Sequence, residues 1–207
     1  MFLLQFAILI YSVILHEIAH GWIADYLGDP TARLAGRLTL NPLPHIDPLM
    51  TIAFPLLLIL GGSPVVFGAA KPVPIDAFNF REPKKDTALT SAAGPLTNIL
   101  LAIFFALILR VLPVIVINQN ILSAAESLCV YGVEINVILA LFNLLPIPPL
   151  DGFKVVGGLV PEEYAPAWFS LERFGLFLVI IVLLFFSSII NRIIGPIDQA
   201  LLRFFLP

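Results

Sequence analysis

His16-Glu17-Ile18-Ala19-His20 puts two imidazoles and a carboxylate on consecutive turns of any helix that contains them. Side chains four apart in an α-helix lie about 40° apart around the axis, so His16 and His20 share a face. Glu17, one step from His16 and three from His20, is close enough to touch a water held by both. Two neutral imidazoles at this spacing suit Zn²⁺, and a carboxylate between them suits a general base acting on that water. The surroundings sharpen this reading. From Phe2 to Trp22 the chain is otherwise almost wholly apolar, and ionisable residues in such a segment cost about 2.5–3.5 kcal/mol each on insertion scales. A chance occurrence on a surface helix does not fit a segment this apolar.

Catalytic zinc usually takes three protein ligands and leaves one position for water. The chain has three His and one Cys, so a third ligand must be His45 or a carboxylate. The best candidate is Asp151, in Asn143-Leu144-Leu145-Pro146-Ile147-Pro148-Pro149-Leu150-Asp151-Gly152. An apolar helix running from Val133 breaks at the prolines and delivers Asp151 at its end. Prolines inside a membrane segment are tolerated where that segment lines a polar cavity. The rival reading of Asp151-Gly152 is an ordinary turn. His45 lies in a Pro-rich loop, where an exposed or capping role is the simpler expectation.

The elements that must position these residues are membrane helices. Hydrophobic residues make up 59% of the chain, mean hydropathy is +1.02, and only 12% of residues are charged, against roughly 25% in soluble domains. Candidate membrane segments are 2–24, 49–70, 87–112, 130–145 and 174–194. A net charge of −3 offers no basic surface for nucleic acid. The single Cys129 excludes a disulfide framework and a Cys-based zinc site, and packing is its expected role. The first segment has no basic start and is too long for a signal-peptide core, so a retained helix is expected. With no internal repeat and no long polar stretch, residues 1–207 read as one membrane-embedded unit. Its core is 1–155, with a C-terminal helix and interfacial tail over 174–207.

Topology follows from requiring the ligands to meet. His16 and His20 lie toward the C-terminal end of the first helix, and Asp151 lies at the end of the fourth segment. The two ends share a depth only if one intervening segment enters and leaves on the same side. Segment 49–70, broken by Pro55 and by Gly61-Gly62-Ser63-Pro64, is the weak one, and a re-entrant hairpin is expected there. Arg33, Arg37, Lys71, Arg81, Lys84, Lys85, Lys154 and Arg173 then share one face, against Arg110, Arg192 and Arg203 on the other. This bias points the site toward the cytosol. Stretches 33–40 and 65–75 read as extended, a small β element able to hold an unwound peptide by strand addition.

The HExxH residues followed by Asn143 to Gly152 resemble the site-2 protease family of intramembrane zinc metalloproteases. So do Asp29-Pro30-Thr31-Ala32-Arg33, Gly36-Arg37-Leu38-Thr39-Leu40-Asn41-Pro42 and His45-Ile46-Asp47-Pro48, which are similar to its compact prokaryotic subgroup. Phe67-Gly68-Ala69-Ala70-Lys71-Pro72-Val73-Pro74 and Ala93-Gly94-Pro95-Leu96-Thr97-Asn98 add to the likeness, which spans about residues 10–155. The resemblance implies one Zn²⁺ per chain on His16, His20 and Asp151. It also implies Glu17 as the base and Asn143 near the scissile carbonyl.

Zinc lowers the pKa of a bound water from about 15.7 to about 7. Glu17 would take the proton and pass it to the leaving amine, and Asn143 could steady the developing oxyanion. For Asn98 a packing role is expected. The combined expectation is an all-α polytopic membrane protein of about four transmembrane helices plus a re-entrant hairpin and a small membrane-associated β element. It would cut a transmembrane protein substrate at a prokaryotic plasma membrane. A zinc-binding transporter would be expected to use midplane sites and paired repeats. A non-catalytic membrane scaffold leaves the buried His-Glu-His unexplained.

Overall fold

The computed structural model describes residues 1–207 apart from 54–55, 58–59, 62–69, 117, 176, 179–180, 182–186 and 207. Its helices are α1 (Phe2–Leu27), α2 (Thr31–Leu34), α3 (Pro83–Ile115), α4 (Gln119–Asn143), α5 (Asp151–Leu159), α6 (Ala165–Phe169) and α7 (Ser187–Phe205). Among the described residues there is no strand, and α1, α3 and α4 are long and apolar enough to cross a membrane. Most of segment 49–70, where the hairpin is expected, lies outside the described residues, as do 65–69 of the expected β element and much of 174–194.

Polar side chains are buried between the helices, while many large apolar side chains face outward. Ser12, His16, His20, Thr90, Ser91, Asn98 and Asn136 are buried, while Leu100, Phe104, Leu107, Val111 and Val114 are exposed. Polar residues in membrane helices face the bundle interior because lipid offers them no partner. α1 and α3 run antiparallel, since His16 meets Asn98 and His20 meets Thr90. α4 returns beside both, with Asn136 bonded to Asn98 and to Ser12. Farther along, Ala102 and Ala106 of α3 pack with Val133 and Val137 of α4 and with Phe205 of α7. Phe205 is buried and its neighbour Phe204 is exposed.

Local sequence accounts for the helix ends. α1 stops at Gly28, whose φ of 115° is a left-handed cap open to glycine. α3 starts with Pro83 at its first position, where the missing N–H costs nothing, and Asp86 Oδ2 accepts from the Glu82 amide at 2.9 Å. α4 begins well before the expected residue 130 because the Asn118 side chain caps the amides of Asn120 and Ile121.

The expectation of extended chain at 33–40 is corrected at its start, where α2 forms a helical turn. Asp29 is the cause. Its carboxylate accepts from the Thr31 amide at 3.1 Å and from the Thr31 hydroxyl, which fixes the first turn. The same carboxylate takes the Asn79 side-chain amide at 2.8 Å and the Asp76 backbone amide at 2.7 Å. Residues 76–79 are thereby clasped to the end of α1. Burial alone would raise the Asp29 pKa, but the hydrogen bonds led by Thr31 hold it below its ordinary value.

Candidate metal centre

Three potential ligand atoms converge between α1 and the start of α5. His16 Nε2 and His20 Nε2 are 3.1 Å apart, and Asp151 Oδ2 lies 3.1 Å from the first and 3.3 Å from the second. The helical spacing of four supplies the two imidazoles. Asp151 arrives differently from expectation. It is the first residue of α5, after the proline loop has turned the chain back on the end of α4. Gly152 permits that turn, since a Cβ there would lie 2.1 Å from the Leu144 carbonyl oxygen.

The protonation pattern tests whether these atoms fit a cation. His20 Nδ1 lies 2.7 Å from the Thr90 carbonyl oxygen, which can only accept, so that nitrogen carries the proton. His16 Nδ1 faces the Asn98 carbonyl oxygen at 2.6 Å and is protonated for the same reason. Both Nε2 atoms are then lone-pair donors, and both face a carboxylate oxygen. Asp151 Oδ2 is buried with no hydrogen-bond donor of its own. Three lone pairs at about 3 Å repel one another unless a cation sits among them. The residues fit Zn²⁺, whose usual ligands include imidazole nitrogen and carboxylate oxygen. The second interactions of the rings, to a carbonyl and an amide oxygen, are those that orient zinc-binding histidines elsewhere.

α3 is shaped around this cluster. At position 94 a Cβ would lie 2.4 Å from His20 Nε2 and 2.5 Å from His16 Cε1, so only glycine leaves room. Pro95, within α3, has no N–H to give the Ser91 carbonyl. A cavity of about 600 Å³ reaches Thr90 and Ser91 from the side of Lys84, Lys154 and Phe169.

Glu17 is half-buried beside the cluster. Its Oε2 accepts the Val73 backbone amide at 2.8 Å. Val73 stands between Pro72 and Pro74, neither of which has an N–H, so the only amide of this triplet is spent on Glu17. The arm is held further by Lys71. Its N–H reaches the His45 carbonyl at 2.9 Å, and its carbonyl accepts from Arg37 Nη2 at 2.7 Å.

His45 itself is buried, with Nε2 at 3.0 Å from the Thr39 carbonyl. It is no member of the cluster formed by His16, His20 and Asp151. Asn143 donates from Nδ2 to the Leu139 carbonyl of its own helix at 2.9 Å and makes no hydrogen bond to the cluster. Sequence reasoning missed three contributors: Gly94, the Thr90 carbonyl and Asn98, which was expected only to pack. The available signal for Asn98 was an amide side chain alone in the apolar run 87–112.

Comparison with known proteins adds the identity of the group. The model of Peptidase family M50 matches residues 4–186. "Putative zinc metalloprotease YwhC" of Bacillus subtilis (strain 168) is 35% identical over 194 residues, covering 93% of this chain and 84% of that protein. A protein of Mycolicibacterium smegmatis carrying the same description under the name Rip2 is 29% identical over 195 residues, covering 92% and 70%. The similarly described MJ0611 of Methanocaldococcus jannaschii is 37% identical over 95 residues, covering 44% and 46%. No solved structure matches significantly. With an HExxH helix and a facing aspartate in an apolar bundle, and a family match over most of its length, the chain belongs to peptidase family M50, the site-2 protease family of zinc metalloproteases.

Proposed function

We propose that this protein hydrolyses a peptide bond within or beside a transmembrane segment of another membrane protein, with zinc held by His16, His20 and Asp151. The observation that carries the proposal is the convergence of three lone-pair atoms beside Glu17 inside an otherwise apolar bundle. When bound, zinc acts as a Lewis acid that acidifies water and polarises a carbonyl. Glu17 is the general base: it takes the proton of the attacking water and returns it to the leaving amine nitrogen. The Val73 amide occupies one carboxylate oxygen and leaves the other for this transfer. Asn143 has a second N–H not used by Leu139 and serves as the donor to the developing oxyanion.

Four helices cross the bilayer in this reading, 174–194 being the fourth, and 49–70 enters and leaves on one side. Antiparallel packing of α1 and α3 supports that: a connection that starts and ends on the same side contains no single complete crossing. The basic residues of that connection make this the cytosolic side of a prokaryotic plasma membrane. The described part of the expected strand-adding stretch, 70–75, has little backbone left for a substrate. The amides of Lys71 and Val73 already have partners, and two other positions are proline.

The test incubates purified protein with a membrane-protein substrate, with and without a zinc chelator, and compares wild type with Glu17→Gln. The expected result is cleavage abolished by chelator and by the substitution, with zinc content unchanged in the variant. Cleavage by Glu17→Gln at the wild-type rate would overturn the assignment of the base.

A further inference from the structure

We propose that Asn98 and Asn136 form a one-way hydrogen-bond relay that sets which nitrogen of His16 carries its proton, and thereby tightens zinc binding. Both amides are fully buried, on two different helices, where an unsatisfied polar group is expensive. Their orientation can be derived from one end of the chain. The Gly132 carbonyl oxygen, 2.8 Å from the Asn136 side chain, can only accept, so it must face Asn136 Nδ2. The same Nδ2 gives its other hydrogen to Ser12 Oγ at 2.9 Å. Asn136 Oδ1 is left facing α3, where it accepts from Asn98 Nδ2 at 2.9 Å. Asn98 Oδ1 therefore faces α1 and can only accept from His16 Nδ1, at 2.6 Å. Flipping Asn136 would oppose its oxygen to the Gly132 carbonyl and its N–H to that of Asn98, and flipping Asn98 would oppose its oxygen to Asn136 Oδ1.

A single backbone carbonyl of α4 thus dictates that His16 presents an unprotonated Nε2 to the metal. His20 needs no such relay, because the Thr90 carbonyl contacts it directly. Asn98 and Asn136 are positioning residues: Asn136 touches neither metal ligand nor substrate, and acts through Asn98. The inference rests on the reading that His16, His20 and Asp151 bind zinc.

The experiment uses the full chain in detergent, labelled with ¹⁵N-histidine; with three His in the chain, the imidazole resonances can be assigned by substitution. In zinc-loaded wild type, His16 and His20 should both show a protonated Nδ1, with that of His16 strongly downfield. A His16 proton found on Nε2 would overturn the relay without any variant. Asn98→Leu should remove the downfield proton and weaken zinc binding, measured by chelator competition, by about 10- to 100-fold, the usual effect of losing an outer-sphere partner. Asn136→Leu, nearly isosteric, should move the same proton upfield and weaken binding by about 10-fold. The His20 and His45 signals report in the same spectrum that the fold is retained. Unchanged His16 shift and zinc affinity in folded Asn136→Leu would overturn the relay alone. Full zinc retention in Asp151→Ala and His16→Ala would overturn the metal reading, and the relay with it.

Discussion

At position 94 the metal cluster leaves less room than a methyl group requires. A Cβ 2.4 Å from His20 Nε2 and 2.5 Å from His16 Cε1 cannot be accommodated by a small shift, because both rings are tied at their other nitrogen. Gly94→Ala should displace both Nε2 atoms and lower zinc affinity by at least about 10-fold, comparable to losing an orienting partner. Zinc content after gel filtration measures this, and a variant with wild-type zinc would show that the rings have more freedom than these contacts allow. Asp151→Ala should act in the same direction for a different reason, removing one donor and leaving two imidazoles to hold zinc weakly. His45 cannot substitute for it in place, being buried against Thr39. Full zinc occupancy and activity in Asp151→Ala would return that residue to a turn role.

Elements carry the site through two attachments of the 70–79 connection, one at Val73 and one at Asp29. Asp29 holds donors from Thr31, Asp76 and Asn79, and its pKa is lowered in the folded state. Its contribution to stability is therefore complete above the unfolded value of about 4 and is lost as pH falls through the lower folded value. Hydrogen exchange at residues 76–80 should accelerate in wild type as pH falls through that lower value, relative to the intrinsic rate. Asp29→Asn, which cannot accept at both ends of its side chain, should show fast exchange there already at pH 7 and no acid step. Equal protection in the two proteins at pH 7 would contradict the clasp. Val73→Gly keeps the amide but frees the arm. It should lower kcat by about 10- to 100-fold through misplacement of Glu17, with zinc content unchanged. The same distinction between local and distant structure explains what could be read in advance. His16, Glu17 and His20 were legible because their relation is set by one helix's own geometry. Asp151 was legible only as a candidate, since the loop that turns it inward depends on Gly152 meeting Leu144. Asn98 and Asn136 were not, because the register between helices leaves no periodic trace in the chain. Residues 33–34 misled because Asp29, several residues earlier, supplies the turn's hydrogen bonds.

For the whole molecule the decisive question is which side of the bilayer supplies water. The metal cluster lies in the half of the bundle where α1 ends and α3 begins, and the cavity at Thr90 and Ser91 extends from there past Lys84 and Lys154. Hydrolysis consumes water, so a path for water from one face is a chemical requirement, and this cavity opens near the Thr90 carbonyl that holds His20, on the side of Lys84 and Lys154. That arrangement fixes a labelling pattern. Single cysteines at Leu34, Phe78, Gln119 and Glu163, all exposed, would be introduced in a Cys129→Ala background and probed from each side with an impermeant thiol reagent. Leu34 precedes 49–70, Phe78 follows it, and Glu163 lies beyond the proline loop. All three should react only from the cytosolic side. Gln119, between the antiparallel α3 and α4, should react only from the opposite side. Labelling of Leu34 and Phe78 from different faces would mean that 49–70 crosses completely. The antiparallel contact of His16 with Asn98 and His20 with Thr90 could not then form between two straight membrane helices, and the cluster itself would have to be assembled in another way.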